Sequence, residues 1–305
     1  MSLTELFTTF ANNLLPILLI ALAGYILGKF LTVDSRTIGR IVFYIFSPVL
    51  VFNLLVTSDL NLKQAASTFG FTAAFILSMG VIAFVIGKIF KLERAHLLAV
   101  ILTVAFGNTG NYGLPLVKFA FGDHALAIAS VIFVTTSILF NTIGVVIASL
   151  GQSNLKSAIL GLFKIPSLYG VALALLVKLT GFQIPIPLER TIDIAASGAV
   201  PSMIVLLGLE LTKIEWTYNF RALSVGVLTK LILGPVIGFL IASLFGLQGF
   251  EKQANVIQAA MPAAVATTVI ANEFRLESSL VTAIVFIGTI LSPLTLTPLI
   301  VYLLR

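Results

Sequence analysis

Ten apolar runs, each about long enough to cross a bilayer, follow one another along this 305-residue chain with only short polar connectors between them. They fall at 6–28, 38–57, 66–89, 95–120, 125–150, 157–179, 190–211, 221–245, 253–272 and 278–304. A succession of this kind leaves few choices of fold. Backbone N–H and C=O groups in hydrocarbon must be bonded internally, so each run has to be a helix or half of one. Composition agrees. Hydrophobic residues make up 59% of the chain and charged residues only 10%, too little polar surface to coat a soluble body. The expected fold class is therefore an all-α integral membrane protein with ten transmembrane helices. The opening MSLTELFTTF has no basic n-region, so the first helix is expected to stay in the mature protein.

The net charge is +6, but Lys and Arg stand singly in short loops, which marks them as topology signals rather than a nucleic-acid surface. Counted on alternate sides of the helices, Lys29, Arg36, Arg40, Lys88, Lys91, Arg94, Lys156, Lys164, Lys213, Arg221 and Arg275 share one side. Lys63, Lys118, Lys178, Arg190, Lys252 and Arg305 share the other. Eleven against six puts the first set in the cytoplasm, and with it both termini outside the cell membrane. The chain has no cysteine, which excludes disulfides, thiolate metal sites and cysteine nucleophiles.

The polar loop Gly151–Lys156 divides the runs five and five. Halves with an odd number of crossings lie upside down relative to each other, the plan of many secondary transporters. Pro16 and Pro166, Pro48 and Pro201, and Pro115 and Pro262 occupy corresponding runs. The expectation is two inverted repeats, residues 1–150 and 157–305.

The richest segment is the fourth run, Ala105-Phe106-Gly107-Asn108-Thr109-Gly110-Asn111-Tyr112-Gly113-Leu114-Pro115. Glycine costs roughly 1 kcal/mol and proline about 3 kcal/mol in a helix interior. Unwound backbone at membrane depth is tolerated where it lines protein or a wet cavity, which the amides and hydroxyl here can serve. A close helix crossing on Gly107, Gly110 and Gly113 is the other reading, but it does not ask for Asn108, Asn111 or Pro115. The ninth run, Gln258 to Thr268, carries a weaker signal in Met261-Pro262-Ala263, either a kink or a second break, with Thr267 beyond it. Half-helices starting near Gly113–Pro115 and Pro262–Ala263 would each present free N–H groups and a partial positive charge, able to hold a carboxylate.

Lys230 is the cation farthest inside a run; substrate attraction, a gating ion pair, snorkelling to the surface and a misplaced boundary are all open for it. Ser47-Pro48, Asn53 and Asn141 fit helix–helix hydrogen bonds, and Asp193 and Glu210 fall near the ends of the seventh run. His96 and His124 lie by loops without a metal-ligand companion, and Trp216 and Tyr218 suit an interfacial belt.

Asn108-x-Gly110-x-x-Gly113-x-Pro115, Ala260-Met261-Pro262, Thr289-x-x-Ser292, Leu15-Pro16…Gly24-Tyr25 and Pro201…Leu207-Gly208 together resemble the auxin efflux carrier family along essentially the whole chain. The resemblance implies a five-plus-five inverted repeat with broken, crossed helices 4 and 9. It also implies a scaffold of spans 1, 2, 6 and 7, often dimeric, and a mobile transport domain of spans 3–5 and 8–10. Its implied substrates are small organic anions: auxin in plants, malate, malonate and similar carboxylates in bacteria. Where relatives often carry an asparagine after the span 9 proline, this chain has Ala266, with Thr267 beside it.

The expected function is thus a secondary transporter of small organic anions, with a channel as the alternative. The expected substrate site is Asn108, Thr109, Gly110, Asn111, Tyr112, Gly113, Pro115, Met261, Pro262, Ala263, Thr267 and Lys230. No cofactor or metal is expected; the coupling ion, proton or sodium, is left open, and the expected partners are lipid and a second copy through spans 1, 2, 6 and 7. An enzyme is not expected, for there is no HExxH, no paired Ser and His at depth and no facing acidic dyad.

Overall fold

The computed structural model describes residues 2–148, 163–214, 216–217, 219–274 and 276–305. The midpoint loop with Lys156, the adjoining ends of the fifth and sixth runs, Tyr218 and Arg275 lie outside the described residues. Eleven helical segments are described: α1 Leu3–Phe30, α2 Ser35–Thr57, α3 Leu62–Ile89, α4 Arg94–Ala105, α5 Thr109–Ala148, α6 Pro166–Thr180, α7 Ile186–Lys213, α8 Phe220–Leu244, α9 Gly249–Ala259, α10 Ala266–Glu273 and α11 Ser278–Leu303. Seven of them are long and apolar enough to cross a membrane, and no strand occurs among the described residues. Large apolar side chains cover the exterior, Leu173, Leu176 and Leu179 of α6 among them. The chain is a multi-pass membrane protein.

The connector expected between the fourth and fifth runs has shrunk to one residue. α5 spans 40 residues, about 60 Å of helix at 1.5 Å per residue, twice the hydrocarbon thickness. It therefore turns back on itself, at Gly122, whose φ of 78° and ψ of −168° only glycine adopts without strain. Lys118 and Asp123 pair across this turn at 3.4 Å.

Four of the prolines inside helices are handled by a recurring device. Wide π turns at Phe10–Leu14, Val42–Phe46, Thr109–Gly113 and Thr229–Leu233 end two residues before Pro16, Pro48, Pro115 and Pro235. The carbonyl that each proline ring would strike, four residues back, belongs to Asn12, Tyr44, Asn111 or Leu231, all within a wide turn. The three proline pairs of the two halves do not share this geometry: Pro166 opens α6, Pro201 lies in continuous helix, and Pro262 lies in a break.

Packing follows two groupings. α7 lies along α1 and also against α2, while α6 lies along α2. Elsewhere α3 packs on α4, α9 packs on α8 and on α5, and α8 also touches α4 and α11. The α1–α7 crossing is built on glycine at both sides. A methyl group on Gly208 would sit 1.8 Å from the Ala21 carbonyl oxygen, and one on Gly24 would sit 2.3 Å from that of Val205. The α2–α6 crossing repeats the arrangement with Gly170 against the Pro48 carbonyl. Asn53 meets Asp193 at 3.3 Å between α2 and α7, a helix–helix hydrogen bond of the kind expected for it.

Gly208→Ala is expected to destabilise the protein by about 1–3 kcal/mol or more, the usual result of overpacking, because only a separation of the helix backbones relieves the clash. Gly80→Ala in α3, with nothing within 4 Å, is expected to be neutral or slightly stabilising. Thermal melts of the two variants in detergent test the contrast; equal melting points would mean that the α1–α7 crossing is not the tight contact described.

Candidate functional site

α4 stops at Ala105 because Phe106 is extended (φ −107°, ψ 107°), and α5 resumes at Thr109 after Asn108 (φ −76°, ψ 65°). α9 stops at Ala259, and α10 resumes at Ala266. The two interruptions lie antiparallel, with Gly107 opposite Ala263. Asn108 N–H donates to the Pro262 carbonyl at 2.7 Å, and Ala264 N–H donates to the Phe106 carbonyl at 2.9 Å. Both breaks are buried, with Phe106 and Met261 wholly so. The segment at Pro262 is a break rather than a kink, since four residues between Ala260 and Val265 leave the helix and two of them bond across to the other break.

The half-helix starts correct the sequence expectation in detail. The first lies at Thr109 rather than at Gly113–Pro115, and the second at Ala266 rather than at Pro262–Ala263. Pro115 does not mark the first break because the π turn Thr109–Gly113, closed by Gly113 N–H donating to the Asn108 carbonyl at 2.9 Å, already makes room for its ring.

Each expected site residue now has a place. Asn108 is buried at the bridge, and its side-chain Nδ2 has no hydrogen-bond partner. Thr109, Gly110 and half-buried Asn111 form the first turn of α5, ahead of most intrahelical acceptors. Tyr112 points elsewhere: it is fully buried, with its hydroxyl 3.2 Å from Ser292 Oγ in α11. Gly113 and Pro115 are buried in the turns that follow. Met261, Pro262 and Ala263 make the second strand of the crossing. Thr267 has turned its hydroxyl back onto the Ala264 carbonyl at 2.6 Å, and Thr268 does the same to Val265 at 2.8 Å. Their donors are spent on the break itself.

Lys230 does not snorkel. It is 1% exposed, its Nζ donates to the Val104 carbonyl at 3.1 Å at the end of α4, and it lies 5.1 Å from the centre of the Phe75 ring. No carboxylate pairs with it among the described residues.

Gln258, not singled out from sequence, belongs to the same centre. Its Nε2 donates to the Thr109 carbonyl at 3.2 Å, and its Oε1 has no partner. The available signal was a carboxamide in an apolar run just before a proline. Gln258 lines a small cavity with Phe71, Thr72, Phe75, Gly107, Thr109 and Thr136. A second cleft lies at the start of α10, lined by Val265 and Thr268 together with Glu210 and Lys213 of α7 and Thr282 and Phe286 of α11. Lys213 Nζ stands 3.4 Å from Glu210 and is half exposed at this cleft.

Electrostatically the centre is uneven. Two helix ends of negative sign (α4 and α9) and two of positive sign (α5 and α10) converge, each worth about half a charge. Among the described residues, Lys230 is the ionisable side chain that reaches the crossing. The unpaired Asn108 Nδ2 is a buried donor left open at the crossing.

Comparison with known proteins gives the family. Residues 9–300 match the family described as membrane transport protein. The chain is 27% identical to an uncharacterized transporter of Methanocaldococcus jannaschii, over 92% of this chain and 95% of the other. It is 30% identical to a putative malonate transporter of Rhizobium meliloti, over 66% of this chain and 65% of that one. With auxin efflux carrier component 6 of Arabidopsis thaliana it shares 27% identity over 49% of this chain and 30% of that one. From the match over nearly its whole length and the paired breaks at its centre, the chain belongs to the family of membrane transport proteins that includes the auxin efflux carriers.

Proposed function

We propose that the protein is a secondary carrier of small organic anions that works by alternating access, with the anion held where the two broken helices cross. The observation that carries this reading is the convergence of two half-helix starts, an unpaired buried carboxamide and a lysine that has no paired carboxylate among the described residues. Groups gathered at one level suit a binding site better than the continuous polar lining of a channel. The cleft between α7 and the start of α10, with Lys213 at its edge, is the route by which an anion reaches the crossing. The malonate and auxin names of two relatives point to the same substrate class.

The proposed topology is ten crossings in two inverted halves. α4 with the first part of α5, and α9 with α10, each make one discontinuous crossing; the remainder of α5 makes another. An even number requires both ends of the chain on one side, and Arg305 pairs with Glu5 at 2.9 Å. The packing pattern also maps onto itself when the halves are exchanged: α1–α7 answers α6–α2, and the α3–α4 contact answers α8–α9. In this reading spans 1, 2, 6 and 7 (α1, α2, α6 and α7) are the scaffold, and the rest is the moving domain. Large apolar side chains of α1, α2 and α6, such as Leu19, Leu22, Tyr44, Ile45 and Leu176, stay exposed, which leaves scaffold surface for lipid or a second copy.

The direct test is uptake of labelled malonate and other mono- and dicarboxylates into liposomes containing the protein. Saturable uptake above empty vesicles is expected; none for any member of the panel would defeat the proposal. Asn108→Ala should reduce uptake roughly 10- to 100-fold, the equivalent of one hydrogen bond to a charged group at about 1.5–3 kcal/mol, with little change in melting point because no protein partner is lost. Asn53→Ala, which removes only the contact with Asp193, should reduce it much less. Lys213→Ala should raise the KM by roughly two- to five-fold at low salt, an effect that high salt screens away. A loss unchanged by salt would remove Lys213 from the path.

A further inference from the structure

The end of α4 has an unusual closure. In an unbroken helix the Val104 carbonyl would accept from Asn108 N–H, but that N–H is diverted to Pro262 across the crossing. The hydroxyl of nearby Thr103 is turned back to Ala99 at 2.8 Å and cannot help. The missing donor is instead the Lys230 ammonium, at 3.1 Å. It arrives from α8 through the wide turn Thr229–Leu233, and the Phe75 ring closes its other side at 5.1 Å. A methyl group on Gly107 would lie 3.2 Å from the same nitrogen, so the ammonium also touches the unwound strand. With no paired carboxylate among the described residues, its charge is balanced by a helix C-terminus, carbonyl oxygen and an aromatic face. Half-helix C-termini and unwound carbonyls are the groups with which broken-helix carriers hold free cations.

We propose that the α4 terminus, the Gly107 strand and the Phe75 face form a monovalent-cation site whose occupant is the tethered ammonium of Lys230, and that removal of the tether leaves a site for a small free cation, best a primary alkylammonium. Carbonyl oxygens and a ring face accept ammonium and alkali ions alike, and the adjoining cavity at Thr72, Thr136 and Gln258 supplies further oxygens. The wild-type site is therefore filled by the protein's own amine rather than by an ion drawn from solution. This inference rests on the crossing geometry and not on the substrate reading, so either can fail alone.

The experiment needs no substrate. Purified Lys230→Ala, Lys230→Met and wild type are melted in detergent with ethylammonium, sodium or choline chloride at equal ionic strength. The alanine variant should melt below wild type. Ethylammonium, and sodium more weakly, should raise its melting point saturably, by roughly 3 °C at ten times the dissociation constant. Choline, too bulky for the site, should act as background. The methionine variant, its void filled by an apolar chain, and wild type should show only the choline response. An alanine variant indifferent to both small cations, or an equal response in all three proteins, overturns the proposal. If the alanine variant does not survive extraction, extraction in ethylammonium should return it folded, and failure to do so overturns the proposal as well.

Discussion

A peptide group in the middle of a bilayer has no water to bond to, and each one left unsatisfied costs several kcal/mol. That constraint governs this molecule, because it contains two places where the helical ladder is cut at depth. Neither interruption is tolerable alone. Laid antiparallel, they supply each other: Asn108 N–H reaches Pro262, and Ala264 N–H reaches Phe106. The remaining loose ends are closed by side chains brought from different parts of the chain, Lys230 on Val104, Gln258 on Thr109, and Thr267 and Thr268 on the second break. The crossing is thus a mutual solution, in which removing one break would orphan the other.

The same closure explains why the rest of the fold is arranged as it is. Segments that far apart in sequence must be held in register to within a hydrogen bond's length, and the helices packed on them do this: α3 and α8 each flank a broken helix, and Tyr112 is pinned to α11 through Ser292. The other grouping, α1 and α2 with α6 and α7, is fastened differently, by backbone contact at glycines where no side chain intervenes. One set is tied by polar closure at the two breaks, the other by close backbone crossings at glycines with the Asn53–Asp193 bond beside them.

Much of this was legible in the residues. Runs of apolar length demand helices, and Asn, Gly and Pro crowded at Gly107–Pro115 demand a break. What could not be read was the exact placement. Proline usually marks an interruption, yet Pro115 is absorbed by a wide turn and the chain opens eight residues earlier at Gly107, where glycine lets another backbone approach. Gln258 escaped notice because a single carboxamide in an apolar run has no periodic partner; its role depends on a carbonyl 149 positions away. Thr267 and Tyr112 were expected to face a ligand, but in hydrocarbon a hydroxyl takes a protein partner: Thr267 donates to the Ala264 carbonyl and Tyr112 accepts from Ser292. Side-chain direction, unlike helix position, is decided by tertiary neighbours.

The two cavities sharpen the chemical picture. Each touches the start of a half-helix: the first Thr109, the second Val265 and Thr268. Their walls differ. The Thr109 cavity is closed by Phe71 and Phe75 and adjoins the buried lysine, whereas the Val265 cleft is bordered by the half-exposed Lys213 and its partner Glu210. Lys213 is therefore screened by water, whereas Lys230 is held away from it. Among the described residues the crossing is made of helix ends, carboxamides and one lysine, with no arginine facing it.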